Sequence, residues 1–309
     1  MESTFLSLSS KQAAGYADAR KSYPRAFINF IVDHHRAIGG KTEVLLDVGC
    51  GPGNSTRAFA PHFDHVYGVD PGDAMIKTAI NMGGQSVSEA PISYHICRAE
   101  EVDKLNEPAQ GAVDMINVTS AAHWFDMPKF WTAAAKALKP GGTVSLWNTI
   151  PTHTDLRNPN HEKVKEIMDH FSNAVLGPYV TPGNALARSG YANLNMPWDQ
   201  AETADLFEKE TLLRKRWHAD DERAKAMGFF SGLTRQEWLL KDVKAIWGSM
   251  SPVIRWREAH PELADTDQDC VEVVMKQLCE TIGTPNGLED GTTMYGGVSI
   301  VLLCIKRAA

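Results

Sequence analysis

Between residues 43 and 148 the chain alternates short apolar runs with stretches of helical period, and few architectures accommodate that pattern. The runs are EVLLDVG (43–49), HVYGVD (65–70), ISYHICRA (92–99), VDMINVT (113–119) and GTVSLWN (142–148). Helical patterns lie beside them at 54–62, 73–82, 100–105 and 128–138. Near-continuous apolar runs suit strands covered on both faces, and a strand followed by a helix returns parallel to its predecessor through a right-handed crossover. The expected core is an α/β, doubly wound, mostly parallel sheet.

The second half has a different rhythm. A helical pattern at 159–175 precedes a Gly/Pro/Asn-rich stretch from Gly177 to Trp198, and an extended run follows at 206–217. Helices are expected at 221–230, 235–247 and 266–281, and then a last strand, GVSIVLLCIK (297–306). Residues 26–150 are read as the core and 151–296 as a mainly helical cap with one core strand near 206–217. Residues 297–309 then return to the sheet.

Composition removes several classes of function. A formal charge of -7 lacks the basic stripe that a nucleic-acid partner requires. No run approaches the roughly 20 apolar residues that cross a bilayer, and the opening MESTFLSLSSKQ has no basic-then-apolar leader, so a cytoplasmic chain is expected. The five cysteines, Cys50, Cys97, Cys270, Cys279 and Cys304, form no C-x-x-C pair and are read as reduced thiols, with no metal site. No obligate protein partner is evident.

The densest local signal is LLDVGCGPGNST, residues 45–56, where an apolar run breaks into Gly49, Gly51 and Gly53. Glycines at a strand-to-helix turn let backbone approach a ligand. The spacing is G-x-G-x-G, not the G-x-G-x-x-G of dinucleotide sites, and Asp47 just before it would repel a pyrophosphate. A ligand end bearing an ammonium suits that carboxylate better. Asp70 closes the second strand, where an acidic side chain can accept both ribose hydroxyls, and Glu100 follows the third beside the expected base.

VLLDVGCGPGNST, followed in order by GVDPGDAM, CRAEEV and LKPGGTVSLWN, resembles the motif series of class I S-adenosylmethionine-dependent methyltransferases over residues 43–148. GYADARKSYP (15–24) and SAAHWFD (120–126) are similar to the Y-x-x-x-R-P-x-Y-P and A-x-H-W segments of the fungal trans-aconitate and cantharidin methyltransferase group. The sequence departs from that group at Lys21, where Pro is common, and at Pro71, where a small hydroxyl residue is frequent. The resemblance implies a Rossmann-like, seven-stranded sheet with an antiparallel last strand, a helical cap, an N-terminal helical lid over residues 1–25, and S-adenosyl-L-methionine as cofactor. It implies that Gly49, Gly51 and Gly53 meet the methionine part, that Asp47 supports the loop or the ammonium, and that Asp70 holds the ribose. Ala99 and Glu100 would border the adenine, and Tyr16 and Arg20 would close over the cofactor. Asn117, Val118, His123 and Trp124 would lie beside the methyl group, the last two as the catalytic candidates.

Methyl transfer from a sulfonium is an in-line displacement, so positioning supplies much of the rate, and a base is needed only for a protonated acceptor. A carboxylate arrives ionised. The resemblance points to O-methylation of a small polycarboxylate or related acid, gripped by cap arginines; Arg188, Arg214, Arg216, Arg255 and Arg257 are candidates, with Trp147 and Asn148 as pocket wall. Two alternatives stay open: methylation of a phenol, thiol or amine, and a non-methylating protein, a cyclisation catalyst or regulatory partner, that keeps the cofactor fold.

Overall fold

The structure, a computed structural model, describes residues 4–20, 23–231, 234, 236–284, 288 and 291–309, apart from the side chains of 152–154. Lys21 lies outside the described residues. The strands are β1 (Val44–Val48), β2 (His65–Asp70), β3 (Ser93–Ile96), β4 (Val113–Thr119), β5 (Leu138–Thr154), β6 (Phe207–His218), β7 (Glu237–Leu239) and β8 (Thr293–Arg307). They form one sheet in the order β3-β2-β1-β4-β5-β8-β6, with β7 pairing β8 off that path. The first five strands run parallel, and β8 is antiparallel to β5, β6 and β7. This is the expected doubly wound, mostly parallel sheet with its reversed last strand; β7 is an additional strand.

The helices are α1 (Ser10–Ala19), α2 (Arg25–Ala37), α3 (Asn54–Phe59), α4 (Asp73–Met82), α5 (Met127–Ala137), α6 (His161–His170), α7 (Pro182–Arg188), α8 (Glu222–Ala226), α9 (Leu240–Gly248), α10 (Ser251–Ala259) and α11 (Cys270–Ile282). Neighbouring residues on each strand face opposite sides, so the sheet divides its core in two. Leu45, Met115 and Leu302 pack with Phe27, Ile31 and Phe59 of α2 and α3. Leu46, Ile116 and Leu303 pack with Phe130 and Trp131 of α5 on the other face. A separate apolar cluster, including Val164, Phe171, Leu240, Trp256 and Leu278, holds the cap helices together.

Several boundaries differ from the sequence reading for local reasons. The third strand stops at Ile96, and Ala99–Lys104 winds into a 3-10 helix instead of completing the expected run to 99. Residues 237–239 add to β8 before α9 begins, because the exposed edge of β8 offers them ladder partners. The helix expected to reach 230 ends at Ala226, since Gly228 turns left-handed at φ 76°. Helix α7 arises inside the Gly/Pro/Asn-rich stretch because Thr181 and Asn184 cap its first turn reciprocally. At the N-terminus, Ser9 and Gln12 do the same for α1.

Candidate functional site

Parallel strands leave a crevice at their carboxyl ends where the chain order reverses, and here that point lies between β1 and β4. A cavity enclosing about 1000 Å3 of empty space, including its mouth, opens there. The turn after β1 forms its floor. The N–H groups of Gly49 and Cys50 both donate to the Val69 carbonyl, at 2.8 and 3.0 Å, which ties the turn to β2. Gly49, Gly51 and Gly53 have φ values of 68°, 55° and 79°, all left-handed. A Cβ on Gly49 would stand 2.6 Å from that of Ala121, and one on Gly53 would stand 2.5 Å from the Tyr94 hydroxyl. At Gly51 it would meet nothing within 4 Å. Gly49 and Gly51 line the cavity, while Gly53 opens α3 and serves the packing beneath it.

Asp70 faces the cavity with part of its carboxylate already used: one oxygen accepts from the Gly51 N–H at 2.9 Å and the other from the Gly72 N–H at 2.8 Å. Burial raises its pKa, and those two N–H donors oppose the rise. Ala99 and Glu100 also line the cavity, and Glu100 Oε1 accepts from the Asp126 N–H at 2.8 Å, which fixes the side chain. Met75, Phe125 and Pro71 supply apolar surface nearby.

Asp47 lies below the floor, fully buried, and accepts from Thr56 Oγ1 and Asn117 Nδ2, both at 2.6 Å. Burial holds its pKa up at about 7, against the pull of those two donors. Of its two expected roles it performs the loop-supporting one, because Thr56 sits on the helix that follows the glycine turn. Asn117 is also fully buried and does not reach the cavity. Its Oδ1 accepts from Trp147 Nε1 at 3.2 Å, so its Nδ2 must face Asp47, Ser55 and Thr119, at 2.6, 3.1 and 3.0 Å. Ser55 and Thr119 share a hydroxyl bond of 2.7 Å. That bond uses one of two hydroxyl hydrogens; the other has no acceptor in the hub, and both residues line the cavity. The buried hub thus presents a hydroxyl donor to whatever binds above.

Val118, expected beside the methyl group with Asn117, points into the α5 face of the core. Strand alternation explains this: Thr119, followed by Ser120 and Ala121, supplies the lining in their place. Trp124 lines the cavity, whereas His123 does not. His123 Nδ1 pairs with the Tyr191 hydroxyl at 3.1 Å, and burial, with a smaller contribution from the charge of Arg20, lowers its pKa to about 3. The imidazole is neutral at neutral pH and too weakly basic for the catalytic role expected of it. Trp147 is buried in the core beneath Tyr23, and Asn148 donates to the Ala187 carbonyl at 3.2 Å; neither forms cavity wall.

The expected cap arginines also lie elsewhere. Arg188, Arg214 and Arg216 are exposed, with Arg214 donating to the Tyr191 carbonyl at 3.1 Å. Arg255 donates to the Tyr179 carbonyl, Thr4 Oγ1 and Asn184 Oδ1, joining the N-terminal arm to the cap. Arg257 grips Asp269 through two bonds, at 2.7 and 3.1 Å. Arg214, Arg255 and Arg257 have found nearer acceptors, and none of the five lines the cavity. Among the described lining residues the one guanidinium is that of Arg98, beside Ala99.

The roof is aromatic. Phe5 meets Tyr16 and Trp124 edge-on, each at 5.9 Å between ring centroids, and Tyr23 stands edge-on to Trp147 at 5.0 Å. Asn54, on the glycine turn, donates to the Ala17 and Arg20 carbonyls at 3.1 and 2.6 Å and fastens the end of α1 over the floor. Arg20 lies behind Tyr16, its guanidinium 4.4 Å from the ring centroid, and is not itself lining. Phe5, Tyr23, Asn54, Ser55 and Thr119 were absent from the sequence reading. Tyr23, Asn54 and Ser55 lay within quoted motifs and Thr119 closed an expected strand, but none was singled out; Phe5 carries no signal.

The donor set fits S-adenosylmethionine: carboxylates for a ribose diol and an adenine edge at one end, apolar faces for the base, and close-approach backbone with hydroxyls for an aminoacyl end.

Comparison with known proteins agrees. Residues 46–146 match the family model described as a methyltransferase domain. The chain is similar to CRG1 of Saccharomyces cerevisiae, named as a probable S-adenosylmethionine-dependent methyltransferase, with 28% identity over 44% of this chain and 45% of that protein. It is similar to the methyltransferase AacuQ of Aspergillus aculeatus, 31% identical over 41% of this chain and 39% of that one. The methyltransferase ptaI of Pestalotiopsis fici is 26% identical over 66% of this chain and 62% of its own length. The chain thus matches less than half the length of the first two relatives. A structure described as a type II methyltransferase candidate from Anaeromyxobacter dehalogenans shares the fold, with a TM-score of 0.59, 21% identity, and coverage of 92% of this chain and 97% of that one.

Proposed function

We propose that the chain is an S-adenosylmethionine-dependent methyltransferase whose acceptor is a small, largely apolar molecule presenting one ionised oxygen, in the first place a carboxylate. The observation that carries the methyltransferase reading is spatial: the segment that matches the domain model also builds the floor and the nucleoside end of the cavity. When bound, the cofactor supplies a methyl group on a sulfonium, which an acceptor oxygen displaces in line.

The acceptor class is argued from the roof and from the absence of a base. Among the described lining residues no imidazole or amine is present, and Asp70 and Glu100 stand at the nucleoside end. His123 lies outside the cavity with its basicity suppressed. An acceptor that arrives deprotonated needs no base, and joining an anion to a sulfonium is favoured where water is excluded. Phe5, Leu6, Tyr16, Tyr23 and Trp124 exclude it here. A polycarboxylate of the trans-aconitate kind is a less favoured second reading, because none of the five cap arginines that would neutralise its charges lines the cavity. An acidic phenol satisfies the same requirement as a monocarboxylate.

The test is incubation with methyl-labelled cofactor and three acceptor panels: aromatic monocarboxylic acids, acidic phenols and tricarboxylic acids. Labelled methyl esters of the first panel are expected to dominate. Label confined to the tricarboxylates would reverse the choice of acceptor, and conversion without label would replace methyl transfer by a non-methylating reaction.

A further inference from the structure

Ser55 and Thr119 are only 4% and 8% exposed, and both line the cavity. The polarity of the hub beneath them is fixed from its far side. The Trp147 indole N–H can only donate, so Asn117 turns its carbonyl oxygen to the indole and its amide to Asp47 and the hydroxyl pair. Both hydroxyl oxygens therefore accept from below, one hydroxyl donates to the other, and among the described residues the remaining hydrogen meets no acceptor. A buried donor without an acceptor costs free energy unless a ligand supplies one. Register sets its place. Val48 pairs with Val69 and Asp47 with Asn117, so Asp70, Gly49 and Thr119 follow as a row across the ends of β2, β1 and β4. Two strand spacings, about 10 Å, separate Asp70 from Thr119 along that row.

We propose that the Ser55 and Thr119 hydroxyl pair binds the carboxylate of the cofactor's aminoacyl end, and that the hub beneath makes this part of the floor select a carboxylate over an ammonium. The proposal rests on the methyltransferase reading and deepens its cofactor site. With the ribose at Asp70 and the base beside Glu100, on the β3 side, the rest of the cofactor runs the other way along the row, over the glycine turn toward Thr119. That end carries one ammonium and one carboxylate. A hydroxyl hydrogen in need of an acceptor suits only the carboxylate. Asp47, the group that would otherwise draw the ammonium, is buried under the floor, and its oxygens already accept from Thr56 and Asn117. Trp147 and Asn117 do not line the cavity and act as positioning residues, through the hydroxyls above them.

The test is calorimetric titration of the full chain with S-adenosylhomocysteine, the demethylated cofactor, and with its decarboxylated and deaminated analogues. The unaltered chain is expected to bind S-adenosylhomocysteine about tenfold or more tightly than the decarboxylated analogue. In the double variant Ser55→Ala/Thr119→Val that preference should fall by about tenfold, the scale of one hydrogen bond to a charged group, while the Kd of the decarboxylated analogue changes little. Thr119→Ser, which keeps a hydroxyl, should retain the preference. No carboxylate preference in the unaltered chain, or a preference that survives the double substitution, overturns the proposal. So does a double variant whose discrimination changes only against the deaminated analogue, a result that gives the pair to the ammonium. A crystal structure of the unaltered chain with S-adenosylhomocysteine decides the matter without any variant: a carboxylate oxygen about 3 Å from Ser55 Oγ or Thr119 Oγ1 is expected, and a carboxylate turned away from both overturns the assignment. Failure of the unaltered chain to bind any of the three ligands would sink the methyltransferase reading, a separate result from any of these.

Discussion

The floor of the cavity is built from backbone and a buried polar hub, whereas its roof is built from side chains that meet only in the folded chain. The floor takes its shape from positive φ angles at three alternate glycines, Gly49, Gly51 and Gly53, and from a parallel register that sets Asp47 opposite Asn117. The roof draws Phe5, Tyr16 and Tyr23 from the N-terminus and Trp124 from the loop after β4, with α7 packed behind that indole. The difference teaches that the two sides of the cavity answer to different constraints. The floor needs backbone geometry that few sequences supply, and the roof needs shape and charge that many supply.

Substitution can sharpen this comparison, and the largest effect is expected in the floor. Gly49→Ala combines a left-handed residue, about 1–2 kcal/mol, with a Cβ forced into Ala121, about 1–3 kcal/mol more. Gly51→Ala carries the first cost without the second, since nothing lies within 4 Å of its added methyl. Urea denaturation should therefore place Gly49→Ala well below Gly51→Ala. Equal losses would mean that backbone strain alone, and not close packing, fixes the turn.

Next in size is the hub. Asn117→Ala strands the Asp47 carboxylate and the Trp147 N–H in the interior, a loss of about 3 kcal/mol at neutral pH. The same measurement on Asn148→Ala, which frees only one carbonyl, should show about 1 kcal/mol. If the two variants behaved alike, the floor would owe nothing special to its buried network.

The smallest expected effect lies behind the roof. Unfolded, His123 titrates near 6.5, and folded it titrates near 3. Below about pH 6.5 the unfolded chain therefore takes up a proton that the folded chain refuses, so stability falls as pH falls through this window. His123→Gln removes that contribution, and between pH 7.5 and 5.0 it should lose less stability than the unaltered chain by about 1 kcal/mol, a figure discounted for partial solvent access. Identical acid limbs would show an imidazole that titrates normally, and would reopen its use as a base.

The sequence made the floor legible because glycine spacing and strand-end acids are local. Asp70 stands at the cavity because a strand end fixes where its last side chains emerge, and Glu100 because the 3-10 turn that follows β3 starts only three residues beyond it. Asn117 and Val118 were harder to place: a strand alternates, and only the register of β4 against β1 shows which of its last three residues clears the core. The arginines were illegible. Guanidinium groups reach several ångströms, and Arg255 and Arg257 were claimed by Asn184 and Asp269, partners that the linear order does not bring together.

By itself, then, the sequence determined the alternating core, the bend after β1 and the acids at the ends of the strands, since all three depend on neighbours a few residues apart. Tertiary structure alone decided that β8 inserts between β5 and β6, that His123 is sequestered by Tyr191, and that Arg255 joins the N-terminal arm to the cap. The physical reason is range. Backbone conformation is settled within a turn or a strand, but the charge and water content around a side chain depend on everything that packs against it, and those neighbours come from the whole chain.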